Sequence, residues 1–224
     1  MKLMAQAVVS AFFGLVFFGV LLFLPAGTLN YWQAWVFIAV FMATTLVPNV
    51  YLAVKNPATL ARRMKGGPTA ETRPLQKIII TATFASVVVL TVVSALDHRF
   101  GWSHVPTAMI IVGNVMVVVG LVLAQAVVLQ NNFAGASIRV EDEQPLVSTG
   151  LYGVVRHPMY AGALIMMFGT PLALDSYWGL LVTALAVPIL VLRILDEESL
   201  LRTELAGYAD YIRAVPYRVV PYVW

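Results

Sequence analysis

Four runs without a single charged residue constrain this chain before anything else: Leu3–Leu24, Gln33–Val54, Ile78–Leu96 and Val105–Gln130. A helix needs about 20 apolar residues to cross the hydrocarbon of a bilayer. Inside that hydrocarbon only a helix or a closed barrel satisfies its own backbone polar groups. Two further runs, Met159–Leu174 and Ser176–Leu192, are separated by Asp175. At 1.5 Å per residue each reaches about 25 Å. They read as a tight helical hairpin, short for a span but tolerable where the bilayer thins. With 60% hydrophobic and 11% charged residues, the chain lies far from soluble averages. The expected fold is an all-α integral membrane helical bundle of about six transmembrane helices.

The first run exceeds the length of a signal-peptide core, and Leu24-Pro25-Ala26 is a poor cleavage site. It is therefore expected to be the first span. The chain has no cysteine, which excludes disulfides, thiolate metal sites and cysteine nucleophiles. Its net charge of +3 implies no nucleic-acid partner, and no set of residues suggests a metal. The 55–77 loop carries Lys55, Arg62, Arg63, Lys65, Arg73 and Lys77 against one acid, Glu71. The positive-inside rule makes that loop cytoplasmic. Six spans then put both termini, the 131–158 segment and the 193–224 tail in the cytosol. A bacterial or archaeal inner membrane is the expected location.

The chain changes character near residue 131. Residues 1–130 form four transmembrane helices whose few polar residues, Asn49, Asn114, Gln125 and Gln130, suit hydrogen bonding between helices. Residues 131–224 gather the polar chemistry into a cytosolic connector, the hairpin and a C-terminal tail. Within the connector, "ASIRVEDEQPLVSTG" suggests a small β-hairpin or an irregular lid. In Arg156-His157-Pro158-Met159-Tyr160, proline fits the first turn of a helix and His157 stands at its cap. A helix N-terminus attracts anions, and Arg156 and His157 would add to it. Arginine and histidine snorkelling at a membrane boundary offer a plainer reading. Gly162 allows close approach of a neighbouring helix or a ligand.

A second cluster, "RILDEESLL", follows the last apolar run. Arg193 and Glu197 are one helical turn apart and share a face, with Asp196 and Glu198 flanking it. Three consecutive carboxylates at the end of a membrane helix must be solvated, paired or bound to a cation. An antiparallel hairpin brings them beside the 156–160 corner. An anion-attracting corner facing the Glu197 carboxylate suits a zwitterionic ligand such as an amino acid or its derivative.

Taken together, "RHPMY", a hydrophobic hairpin and "RILDEE" resemble the isoprenylcysteine carboxyl methyltransferase family of integral membrane enzymes that use S-adenosylmethionine. The resemblance runs from about Ser137 to Trp224 and includes "QPLVSTGLY" and "YADYIRAVPYRVVP". It implies roles by position. Gln144, Pro145, Leu146 and Val147 match a segment lining the cofactor pocket. Tyr152, His157, Pro158, Met159 and Tyr160 match further cofactor contacts. Glu197 matches the carboxylate that takes the cofactor's amino group, and Arg193 the arginine that orients a substrate carboxylate. Leu151 stands where the family often has proline, and Glu204-Leu205 replaces a frequent Phe-Gly.

Methyl transfer from a sulfonium is an in-line displacement in which the cofactor supplies the reactivity. A carboxylate acceptor needs only a cation to orient it. An amine or thiol needs a base, for which Glu198, Tyr160 and His157 are the candidates. The implied activity is methyl transfer to a lipophilic small-molecule or lipid substrate, an isoprenylcysteine-type carboxylate among them. A phospholipid amine or thiol methyltransferase is the alternative, and an NADPH-dependent membrane reductase of sterol-reductase type a more distant one. A non-catalytic scaffold or transporter fits less well, because the spans carry no charge marking an ion path.

Overall fold

The computed structural model describes residues 2–64, 71, 73–134, 138, 140 and 144–224. The described residues form eight α-helices: α1 (Lys2–Ala26), α2 (Trp32–Lys55), α3 (Pro57–Met64), α4 (Pro74–Phe100), α5 (Thr107–Gln130), α6 (Pro158–Ala173), α7 (Trp178–Glu204) and α8 (Tyr208–Ala214). A 3-10 turn, Gly150–Gly153, precedes α6. The described part of the connector contains no strand, and residues 135–137, 139 and 141–143, on which much of the hairpin-or-lid expectation falls, lie outside the described residues.

The membrane-bundle expectation holds. Helices α1, α2, α4, α5 and α7 are long and apolar enough to cross a membrane, and α6 is a shorter apolar helix. Large apolar side chains cover the outside of the bundle, among them Phe12, Phe13, Ile78, Phe84 and Leu185, as a lipid-facing surface requires.

The hairpin differs from the expectation in one arm. The 176–192 run is only the first part of α7, which continues unbroken through Arg193 and the three carboxylates to Glu204. At 27 residues it reaches about 40 Å, longer than the hydrocarbon core of a bilayer. The charged segment stays helical because its side chains find partners on three sides. The arm that remains short is α6, with 16 residues.

Helix α6 reaches its place by close backbone packing against α5. Gly113 and Gly120 on α5 face Gly162 and Gly169 on α6, each pair seven residues apart. A Cβ built on Gly162 would lie 2.6 Å from the Gly120 carbonyl oxygen, and one on Gly169 would lie 2.6 Å from Met116 Cβ. Small residues at matched spacing let membrane helices approach until their backbones touch. Gly162 therefore admits a helix.

The end of the bundle away from the 156–160 corner is closed by a buried polar network. Asp97 accepts hydrogen bonds from Ser103 Oγ at 2.6 Å and Ser176 Oγ at 2.7 Å. Asp175, at φ 60°, makes the α6–α7 turn and accepts from the Val105 amide at 2.6 Å and Gln33 Nε2 at 2.9 Å. Tyr31 donates to the Leu174 carbonyl at 2.5 Å. These bonds tie α2, α4, the α4–α5 connector and the hairpin turn together. The opposite end is thereby left to gather α3, the connectors and the tail. There Gln125 accepts from Arg63 at 3.2 Å, joining α5 to α3. Gln130 donates to the Thr149 carbonyl and accepts from the Leu151 amide, joining α5 to the 3-10 turn.

Candidate active site

The three carboxylates of α7 are consecutive, so each points about 100° from the last around the helix. That rotation sends them to three different neighbours. Asp196 faces the start of α4, where it accepts from Gln76 and pairs with Arg73 at 2.8 Å. Glu197 faces α6 and accepts from the Tyr160 hydroxyl at 2.6 Å. Glu198 faces the tail and the entry to α6. There it accepts from Arg156 Nε at 2.8 Å and Arg218 Nε at 3.0 Å, with His157 Nε2 at 3.3 Å. Buried carboxylates persist only when paired and hydrogen-bonded, as Asp196 and Glu198 are; Glu197 is half-buried and accepts its hydrogen bond from Tyr160.

This arrangement alters the part assigned to Arg156 and His157. Both were expected to strengthen an anion site. They are 4% and 5% exposed, brace Glu198 and also line the cavity beside it. Their amides are engaged too: Arg156 donates to the Tyr217 carbonyl at 2.9 Å and His157 to Arg218 at 2.8 Å. Arg156 Nη1 also reaches the Val215 carbonyl at 2.7 Å. The arginine, the histidine and Glu198 together bolt the tail to the start of α6.

A cavity opens beside this bolt. Gln144, Pro145, Leu146, Val147, Tyr152, His157, Pro158, Met159, Tyr160, Arg193 and Glu197 line it, so the structure brings these sequence-derived positions into one place. Glu198 is absent from the lining. Its oxygens are held by Arg156, His157 and Arg218. The tail supplies the roof: Tyr208, Tyr211 and Val215 are buried against Leu146, Tyr152, Leu201 and Leu205. Tyr211 donates to the Tyr152 carbonyl at 2.7 Å, and the Tyr152 hydroxyl accepts from Asn131 at 3.1 Å. Burial raises the phenol pKa values of Tyr152, Tyr208 and Tyr211, so all three remain neutral donors at physiological pH. Tyr208 is 3% exposed, lines the cavity, and its hydroxyl has no hydrogen-bond partner among the described residues.

Arg193 is held more elaborately than an ion pair one turn away would suggest. Its Nε donates to the Tyr160 hydroxyl at 3.1 Å. Nη1 donates to Gln76 at 3.0 Å, and both Nη1 and Nη2 reach Glu71 Oε1 at 3.3 Å. Sequence reasoning missed Glu71, Arg73 and Gln76. Glu71 read as the lone acid of a basic loop, yet it is 3% exposed, and Gln76 is fully buried. Their one signal was position, since they flank the start of α4 beside a helix end carrying unexplained charge.

Chemically, the cavity offers a carboxylate, Glu197, fixed by a phenol. It also offers a neutral orphan donor, Tyr208, a guanidinium, Arg193, and apolar walls from Pro145, Leu146, Met159 and Leu201. Such a set suits an amphipathic ligand with an ammonium group at one end.

Comparisons with known proteins agree with this plan. Residues 108–206, from the start of α5 to just past α7, match the family model of phospholipid methyltransferases. The fold is similar to that of the eukaryotic intramembrane Ras methyltransferase, isoprenylcysteine carboxyl methyltransferase. The TM-score is 0.50 at 18% sequence identity, over 98% of this chain and 86% of that one. A stretch of 85 residues is 35% identical to the Delta(14)-sterol reductase of Mus musculus, covering 35% of this chain. The chain spans about 20% of the length of that curated relative. Across α5 to α7 the chain is thus similar to phospholipid methyltransferases, and in its membrane-bundle fold it is similar to an intramembrane methyltransferase.

Proposed function

We propose that this protein transfers a methyl group from S-adenosylmethionine to a lipophilic acceptor at the cytosolic face of a membrane. The observation that carries the proposal is Glu197, held at 2.6 Å by Tyr160 in a cavity that also offers apolar surface from Pro145, Leu146, Met159 and Leu201. The residues present fit this cofactor. Glu197 matches its ammonium, the unpartnered Tyr208 hydroxyl supplies a donor for another polar group, and Pro145, Leu146 and Met159 offer apolar surface to its ring system.

When bound, the cofactor supplies an electrophilic methyl carbon, which the acceptor's lone pair takes while sulfur keeps the electrons of the breaking bond. The chain's own residues do the positioning. Glu197 fixes one end of the donor, and Tyr160 fixes Glu197. Arg193 marks the acceptor side of the same cavity. The α8 roof and the bolt around Glu198 keep water from the reacting atoms, which aligned displacement requires. The acceptor reaches the cavity from the lipid, as expected of a site beside membrane helices.

The local likeness to a sterol reductase makes NADPH the competing ligand. Recognition of its extra phosphate needs uncommitted cations. In the described tail Arg213 pairs with Asp210 and Arg218 with Glu198. Calorimetric titration of the purified protein in nanodiscs with S-adenosylhomocysteine and with NADPH separates the readings. Micromolar binding of the first and none of the second is expected, and the reverse pattern defeats the proposal. Transfer of a labelled methyl group onto total lipid and onto prenylcysteine analogues then reports the acceptor.

A further inference from the structure

The lipid-facing stripe of α7 runs on into polar residues. Leu181, Leu185, Leu192 and Leu195 are exposed along it, at the spacings of three, four and seven that keep residues on one helix face. The same spacing continues to Ser199 and Arg202, which are exposed as well. Arg202 follows Leu195 by two turns, about 10 Å along the axis. The C-terminal tail folds alongside and leaves a groove lined by Leu195, Glu198, Ser199, Arg202, Thr203 and Arg218. This groove shares no lining residue with the cavity. Glu198 lines the groove, while Arg156 and His157, which hold it, line the cavity.

Cations outnumber acids here. The one carboxylate in the groove lining, Glu198, already holds Arg156 at 2.8 Å and Arg218 at 3.0 Å. Arg218 spends its Nε on Glu198, and its guanidinium lies over the Trp224 ring, 5.1 Å from the centroid. Its two Nη groups donate to no described residue, and Arg202 pairs with no described acid. The tail beside Arg218 adds apolar surface. The amides of Arg218, Val219 and Val220 all donate to the Trp224 main-chain oxygen, at 2.9, 3.0 and 3.2 Å. That closure leaves Val220, Tyr222 and Val223 exposed. Aromatic rings beside arginines at the end of a span suit the headgroup layer of a membrane.

We propose that the groove between the end of α7 and the C-terminal tail binds the phosphate of an anionic phospholipid, whose acyl chains lie along the α7 leucine stripe. Guanidinium forks match phosphate oxygens in two-point contacts, and Arg202 and Arg218 bring two forks to one place. The headgroup and the chains of one lipid then meet a single continuous face of the protein. A zwitterionic headgroup fits less well. Its ammonium would need a carboxylate, and Glu198 is claimed by two arginines. This site stands outside the cavity and does not depend on the reaction there.

The test uses the full chain in detergent micelles, titrated with dioleoyl phosphatidylglycerol or dioleoyl phosphatidylcholine and read by native mass spectrometry. The first phosphatidylglycerol should bind at least about tenfold tighter than the first phosphatidylcholine, the scale of two basic residues at a charged membrane surface. Arg202→Gln removes one cation, and Ser199→Glu places a carboxylate in the groove. Each should cut the preference to about twofold or less, as loss of one such charge requires. Both positions are exposed, and either variant alone decides if the other does not fold. Arg213→Gln removes an exposed cation outside the groove and should leave the preference unchanged. Millimolar inorganic phosphate should not displace the lipid. A wild type without headgroup preference, or a preference that survives both groove variants, overturns the proposal. So does an equal fall in Arg213→Gln, which would mean diffuse surface charge, or displacement by phosphate, which would mean a site for the free anion.

Discussion

The Tyr160 hydroxyl donates to the Glu197 carboxylate at 2.6 Å while accepting from Arg193 at 3.1 Å. A phenol from α6 therefore stands at the joint between a cation and an anion that belong to one face of α7. Its proton fixes the direction of the Glu197 lone pairs that remain for a ligand. Tyr160→Phe should leave the fold intact and weaken binding of S-adenosylhomocysteine by about 1 kcal/mol, the usual net worth of one hydrogen bond. Calorimetry on the variant measures it, and an unchanged affinity would mean that Glu197 needs no help to hold its orientation.

Tyr208→Phe should move two observables in opposite directions. The buried hydroxyl has no partner among the described residues, and an unsatisfied buried polar group costs about 1–3 kcal/mol. Without ligand, the phenylalanine variant should unfold at equal or higher temperature. With S-adenosylhomocysteine, its affinity should fall about tenfold, because the ligand loses the donor that the cavity holds ready. Tyr211→Phe is the contrast: it breaks an existing bond to Tyr152 and should lower stability in either state. If Tyr208→Phe lowers stability without ligand and leaves affinity alone, the hydroxyl has no ligand to meet.

Glu198→Gln separates a counter-ion from a base. In the structure its carboxylate faces Arg156, Arg218 and His157 and does not line the cavity. Removing one partner of a buried ion pair costs about 3–5 kcal/mol, because the other charges stay buried without compensation. The expected result is a large loss of thermal stability and earlier proteolysis of the tail. Normal stability with turnover abolished only for amine or thiol acceptors would instead restore Glu198 as the proton acceptor.

The glycine contact between α5 and α6 should be equally sharp. A Cβ on Gly120 would meet Met166 N at 2.8 Å and Met166 Cβ at 2.9 Å. Gly120→Val must push the helices apart, at roughly 1–3 kcal/mol for overpacking. Because α6 carries Tyr160 and α5 leads to Asn131, donor affinity should fall together with stability. Gly19 has nothing within 4 Å of a built Cβ, so Gly19→Val should change neither. Equal effects at both positions, read by thermal melts and ligand titration, would remove the special status of the α5–α6 contact.

Much of this architecture was legible because a bilayer leaves few choices. Uncharged runs near the length of a span become helices, and their order makes an antiparallel bundle. Of the residues lining the cavity, His157 to Tyr160, Arg193 and Glu197 were found because they cluster in two short motifs joined by a hairpin, and Gln144 to Val147 and Tyr152 through the family resemblance. What the sequence hid were partners distant in the chain. Arg156 and His157 look like anion binders until Glu198, some forty positions later, is seen to claim them. Glu71 looks like a stray acid in a basic loop until α4 places it against Arg193. The full length of α7 was legible only in part: the shared face of Arg193 and Glu197 carried the helix past the apolar run but not to Glu204. Charge compensation across elements decides all three, and it has no local periodicity to read.

Arg193 and Glu197 provide the last discrimination. Glu197→Gln keeps the volume and removes the charge meant for the donor's ammonium. It should cost about 1.5–3 kcal/mol of donor affinity, the scale of a charged hydrogen bond. Arg193→Lys keeps a positive charge but replaces a planar fork by a point charge. It cannot donate to Tyr160, Gln76 and Glu71 together, as the arginine does. Donor affinity should fall by less than threefold, because Glu197 and Tyr160 still face the cavity. Turnover should drop, or the acceptor's KM rise, because the acceptor side of the cavity is no longer held in shape. Donor binding by calorimetry and turnover by labelled methyl transfer, measured on both variants, test the division. Equal losses of donor affinity would reduce Arg193 and Glu197 to one structural ion pair. No loss in either would mean that this face of α7 does no chemistry.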